Sequence, residues 1–162
     1  MTAPHHPHEA ARTATDADLP AVVELVAAAT AEKRTQKGGE LWSRRERRHR
    51  PVDTDLKAVL AADDQELAVG TLDGTVVGYG VVRVERLSDG GLLGVIDDIY
   101  VGPGAREVGV GEVLMEHLLD WCRARGCEGV DSLALPGDRA TKNFFESFGL
   151  VARAIVVHRR LS

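Results

Sequence analysis

Between Glu66 and Val101 the chain reads as strand, tight turn, strand, short turn, strand. Glu66–Leu72 and Thr75–Leu87 flank Asp73-Gly74, a residue pair suited to the positive φ angles of a two-residue hairpin turn. Ser88-Asp89-Gly90-Gly91 makes the second turn, and Leu92–Val101 the third strand. Strands joined this closely can run only antiparallel. The segment is therefore a meander, and every other element must pack around it.

The flanks are mostly helical. Ala11–Ala14 fits a short first strand, and Asp16 or Asp18 can cap a helix whose Leu19, Val22, Val23, Val26 and Ala27 share a face. Gly38-Gly39 breaks it. A second helix runs through Leu41 and Trp42 into an arginine-rich stretch ending before Pro51, and Asp53 or Thr54 caps a third carrying Leu56, Val59 and Leu60. Beyond Gly102-Pro103-Gly104, Val110, Val113, Leu114, Leu118, Trp121 and Cys122 follow helical spacing up to Gly126. Gly129–Leu135 reads as a strand, Arg139–Phe148 as a helix ended by Gly149, and Ala152–Arg159 as a last strand. The expected order is β-α-α-α-β-β-β-α-β-α-β. With no repeat or linker, residues 11–162 form one α+β domain after a disordered stretch, residues 1–10. His5, His6 and His8 in that stretch match no metal-ligand spacing, and no metal is expected.

Apolar runs are broken by glycine or charge within a few residues, so no membrane span is expected, and without a basic n-region and apolar h-region in the opening residues secretion is not expected either. Cys122 and Cys127 are spaced to point to different sides of one helix, so a reduced, cytoplasmic protein is the expectation. The net charge of -5 speaks against nucleic acid as a partner. Against that balance, Lys33, Arg34, Lys37, Arg44, Arg45, Arg47, Arg48 and Arg50 cluster in one segment. Such a run is a solvated helix face or a basic wall beside an acidic substrate or phosphate.

The chemistry concentrates where the third strand feeds Arg106-Glu107-Val108-Gly109-Val110-Gly111 and opens a helix. The first amides of a helix lack internal partners and sit at the positive end of its dipole, so they suit an anion. Gly109 and Gly111 let backbone approach a diphosphate, and Arg106 adds a charged donor. A P-loop would need Gly-Lys-Ser/Thr, and a dinucleotide fingerprint would need glycine where Arg106 and Leu114 stand.

Arg106-x-x-Gly109-x-Gly111 after Ile99-Tyr100-Val101 resembles motif A of the GNAT superfamily of N-acetyltransferases. The order of elements resembles that family from about Ala11 to Arg160, and the segment from Asp138 to Leu150 is similar to its second motif, Asn-x-x-Ala-x-x-Phe-Tyr-Glu-x-x-Gly-Phe. The resemblance implies a mixed, mostly antiparallel sheet of about six to seven strands, splayed between the fourth and fifth and flanked by helices. It implies acetyl-CoA as cofactor, with the amides of residues 106 to 111 around the pyrophosphate and pantetheine along Ile99, Tyr100 and Val101. Asp138 and Phe145 would join that cofactor site. The Val101 amide would stabilise the oxyanion of a tetrahedral intermediate. The acceptor would be a primary amine of a small molecule or peptide, acylated directly in a ternary complex, by a protein that forms a dimer.

The resemblance implies a general base at Asp97, since relatives often carry one at the matching position; Asp98 and Glu85 are the further candidates in this chain, and simple alternation would put Val95, Asp97 and Ile99 on one face and Ile96, Asp98 and Tyr100 on the other. The chain also departs from the pattern. Phe145 replaces the tyrosine that commonly protonates the departing sulfur, Asp138 replaces Asn and Thr141 replaces Ala. These departures leave two further readings: a weakly catalytic acyl-CoA-binding regulatory domain, or a transferase for a charged acyl group such as succinyl, held by the arginines.

Overall fold

Asp73 and Gly74 lie at φ 50° and 81°, the twisted turn that lets two right-twisted strands close on one another. It joins β2 (Gln65–Leu72) to β3 (Thr75–Arg86), and Ser88–Gly91 joins β3 to β4 (Leu92–Val101). The computed structural model, which describes residues 2–162, thus contains the expected meander. β1 (Glu9–Thr13) pairs antiparallel with β2, starting two residues before the expected first strand. β5 (Gly129–Ser132) pairs parallel with β4, giving the sheet order β1-β2-β3-β4-β5.

Helices cover both faces. α1 (Leu19–Arg34) and α3 (Val52–Ala61) bury Leu19, Val22, Val26, Leu56 and Val59 against Leu67, Val69, Tyr79 and Val81. α2 (Gly39–Arg45) packs on α1 and stops five residues short of Arg50, so the rest of the arginine-rich stretch is not helical. α4 (Val110–Ala124) and α5 (Arg139–Ser147) cover the other face, where Leu114, Met115, Leu118 and Phe145 meet Val82 and Ile96. α4 lies unusually close to the sheet. A Cβ at Gly70 would stand 2.7 Å from Val110 Cγ1, and one at Gly80 would stand 2.8 Å from Leu118 Cδ1. Only hydrogen fits there.

Two expectations need correction. The sheet has five strands, not six to seven. β5 ends at Ser132 rather than Leu135, and Ala152–Arg159 forms no strand. Strand propensity reflects fit to a partner surface. The tail meets none: Val151, Ile155, Val156 and Val157 are each at least 79% exposed, and the ion pair of Arg153 with Asp131 is its tie to β5. No helix is long and apolar enough to cross a membrane among the described residues. Cys122 and Cys127 are free thiols, and burial pushes Cys122 up to about 12.

The chain enters α1 through a charged knot. Asp18 accepts from Arg12 Nη1 at 2.7 Å, from Arg12 Nη2 at 2.9 Å and from the Thr15 amide at 2.8 Å. The Arg12 guanidinium outweighs burial and holds the Asp18 carboxyl down to about 2. A depressed carboxylate contributes stability above its unfolded pKa and loses it as pH falls through the folded one. Asp18→Ala is expected to lower stability at pH 7 by about 1–2 kcal/mol, allowing for the half-exposed Arg12. In urea melts that deficit should shrink between pH 4 and 2 as the parent protonates, and a deficit constant with pH would refute the ion pair's role.

Candidate active site

The register of β3 and β4 slips once. Val81 faces Asp98 but Val82 faces Ile96, so Asp97 is the extra residue of a β-bulge. The bulge overturns the simple alternation of faces. Ile96 points toward α4, whereas Asp98 and Tyr100 point toward α1, although all three are evenly spaced in sequence. Asp97 also turns to the α1 side, where Arg83 Nε donates to its carboxylate at 3.2 and 3.4 Å. Two adjacent carboxylates thus share a face. Glu85, the remaining candidate, accepts from Arg83 Nη1 at 3.1 Å.

Asp98 is 8% exposed and lines a cavity of about 10 Å³, room for about one water, with Val26, Ala29, Lys33, Trp42, Arg48, Tyr79, Ile99 and Tyr100. The Tyr79 hydroxyl donates to Asp98 at 3.1 Å, and Arg48 Nε stands 3.9 Å away. Burial raises the Asp98 carboxyl above its ordinary value, while Arg48 and Lys33 oppose the rise. Burial and the neighbouring carboxylate also push Tyr79 well upward, so it stays a donor.

On the far side of β4 the sheet opens. β5 pairs with Leu93 through Ile96 and then stops, while β4 runs on to Val101. The edge of β4 beyond Ile96 is therefore unpaired on the β5 side. Gly102 donates its amide to Val77, so alternation turns the Val101 amide to the opposite, open edge. Ile99 shares that edge. The Val101 carbonyl is taken: Arg106 Nε donates to it at 2.9 Å.

The turn into α4 passes through Glu107 at φ 67° and Gly109 at φ 92°. Gly109 is the residue before the helix, so the free amides of Val110, Gly111 and Glu112 follow directly. A Cβ at Gly111 would also meet the Phe144 ring, at 3.3 Å. Val108, Glu107 and Arg106 are exposed around this helix end. Arg106 reaches back: its Nη2 donates to Glu32 of α1 at 2.8 Å, and its guanidinium lies 5.4 Å from the Tyr100 ring. Tyr100 donates to the same Glu32 oxygen at 3.0 Å. The Arg106 bond, with help from Tyr100, holds the Glu32 carboxyl below its usual range despite partial burial.

α5 closes the rim. Asp138 caps it, accepting from the Thr141 amide at 3.1 Å and its hydroxyl at 2.6 Å. Thr141, a departure from the resembled motif, is what the equally unusual Asp138 binds. Phe145 is 7% exposed inside the α4–α5 core, and Phe144 is the aromatic lying against Gly111. Sequence reasoning missed Glu32, Tyr79 and Phe144, and it named Arg48 without separating it from the other arginines of its run. Only Phe144 carried a local signal, its helical step from Phe148, which it also touches.

A helix end with free amides, a flanking cation and an unpaired strand edge lie next to one another, joined by the Arg106–Val101 bond, and such donors suit a diphosphate and amide groups. The chain belongs to the GNAT acetyltransferase family: the profile of the Acetyltransferase (GNAT) family matches residues 24–150. Acetyl-CoA is the cofactor of that family. Structural neighbours share the fold. A mutant of a Bacillus halodurans protein superposes with a TM-score of 0.79 at 18% identity, over 93% of this chain and 99% of its own. Glucosamine-6-phosphate N-acetyltransferase from Arabidopsis thaliana gives 0.70 at 20% identity, over 96% and 99%. An aminoglycoside N-acetyltransferase in complex with CoA gives 0.72 at 19% identity, over 99% of both chains. No curated protein sequence matches the chain.

The left-handed Gly109 aims the helix end. Gly109→Ala should cost about 1–2 kcal/mol in urea unfolding through its φ alone. An unchanged midpoint would contradict the turn.

Proposed function

We propose that this protein transfers the acetyl group of acetyl-CoA to a primary amine by direct attack in a ternary complex. The observation that carries the reading is the unpaired half of β4, whose last carbonyl Arg106 ties to the turn that opens α4. The amides of residues 106 to 111 and the Arg106 side chain would hold the pyrophosphate. Backbone groups of Ile99 and Val101 would pair with pantetheine, with Tyr100 and Asp138 of the α5 rim beside it and Phe145 packed behind that rim.

In the reaction the amine nitrogen bonds to the thioester carbon, the oxyanion collapses, and the carbon–sulfur bond breaks to release thiolate. The Val101 amide, free on the open edge, would stabilise the oxyanion. The amine must first lose a proton, since its ordinary pKa is about 10.4. Asp97 is the base that the resemblance implies. Asp98 has the stronger support, because it lines the cavity while Asp97 is engaged by Arg83. Its raised pKa also makes it the better proton acceptor once ionised.

No tyrosine stands at Phe145, and the core position of that ring offers no proton. A thiol with a pKa of about 8.5 leaves as thiolate without one, at a cost of up to about 10²–10⁴ in rate. That cost keeps the acyl-CoA-binding regulatory reading as the alternative. The charged-acyl reading draws less support, since Arg45 is 72% exposed and Arg44 lies in a groove with the tail. The exposed apolar residues Ile155, Val156 and Val157 support the proposed homodimer, which light scattering would test.

Acetyl-CoA should raise the melting temperature, and free thiol should appear with some member of an amine panel. Stabilisation without turnover on any amine would favour the regulatory reading. The base must be ionised, so kcat/KM should rise with pH through an acid limb above the ordinary carboxylate range. Asp98→Asn should remove that limb and lower the rate by about 10²–10⁴ while CoA binding persists. If Asp97→Asn removes the limb instead, the base is Asp97.

A further inference from the structure

The arginine-rich run sends one guanidinium inward. The Arg48 side chain is 12% exposed, against 72% for Arg45. Its Nε lies 2.8 Å from Asp55 Oδ2 and 3.9 Å from Asp98 Oδ2, yet neither contact has hydrogen-bond geometry. Nε and Asp55 Oδ2 are each buried without an aligned partner although they face one another, and Nη1 is buried with no hydrogen-bond partner. Asp55 offsets the charge of Arg48; what the guanidinium lacks is an oxygen aligned with its N–H bonds. Buried donors rarely go unpaired in native proteins, and such an exception calls for a partner.

Arg48 lines the same cavity as Asp98. Lys33 lines it too, its ammonium held 4.7 Å above the Trp42 ring. The wall therefore offers two kinds of contact side by side. The Asp98 carboxylate suits an amine, while Arg48 and Lys33 suit an anionic oxygen. With room for about one water, the space at Arg48 takes a single oxygen of a planar carboxylate more readily than a bulky phosphate.

Given that the acceptor docks at the mouth of this cavity, we propose that it is an amino-carboxylate, an α-amino acid or close analogue. One carboxylate oxygen enters the cavity and accepts from the Arg48 guanidinium, Lys33 neutralises the group, and the amine stays at the mouth on the Asp98 side. Arg48 is then the residue that selects the substrate class. A neutral amine of the same shape leaves its guanidinium unpaired, which is the kind of loss that discriminates most strongly between similar substrates.

The test compares α-amino acids with their α-amides, each pair sharing one side chain, using acetyl-CoA as donor at pH 7. The carboxylate member should be favoured at least about tenfold in kcat/KM, and Arg48→Gln should bring the ratio close to one. Arg48→Lys, which keeps the charge and loses the fork, should give an intermediate ratio. A ratio taken within one variant cancels any general loss of folded protein. Equal use of acid and amide by the parent overturns the proposal, as does an unchanged ratio in Arg48→Gln. Calorimetry on the CoA-loaded protein separates this idea from the transfer reading. Should no amine be turned over, selective binding of the acid still upholds the carboxylate site, and equal binding or none refutes it.

Discussion

The bulge at Asp97 sets the direction of everything that follows it on β4. One residue is inserted without a partner, and the side chains beyond it exchange faces. Ile96 completes the core under α4, Asp98 and Tyr100 turn to the wall under α1, and Ile99 and Val101 turn back toward α4. Were the strand regular, the side chain of residue 98 would share the apolar face of Ile96. A carboxylate there would be surrounded by Val82, Leu118 and Met115, with no donor to receive it.

The second organising contact is long-range. Glu32, near the end of α1, takes hydrogen bonds from Arg106 and Tyr100 and so joins the helix beside the cavity to the turn before α4. The same guanidinium holds the last carbonyl of β4. The pair is about 40% exposed on both sides, so its worth to global stability is small. Its value is positional. It orients one cation and leaves Nη1 of that cation free for a ligand.

Legibility followed the range of the interactions. The third strand is Leu92–Val101 in both the pattern and the structure, because alternation and turn residues act within a few positions. The glycine turn and the amphipathic α4 were equally local. The bulge has no such signature, since Asp-Asp between apolar residues reads as plain alternation. Glu32 and Arg106 are 74 residues apart, and no spacing rule joins them. Arg48 was hidden among arginines of identical type, where only burial separates an inward residue from its solvated neighbours. The tail failed for a further reason. Its residues favour a strand, but a strand needs an edge, and propensity says nothing of where an edge will be.

The closeness of α4 to the sheet has a genetic consequence. Because a Cβ at Gly70 would press on Val110 and Leu114 and one at Gly80 on Leu118, a side chain at either position must displace those side chains or lift the helix. The helix carries the free amides at its tip, so the damage would be felt away from the altered residue. Alleles at these two glycines would be classed by an observer as cofactor-site lesions, although both residues sit in the interior of the sheet. Suppressors would then be sought in the wrong place unless smaller side chains at 110, 114 and 118 were included.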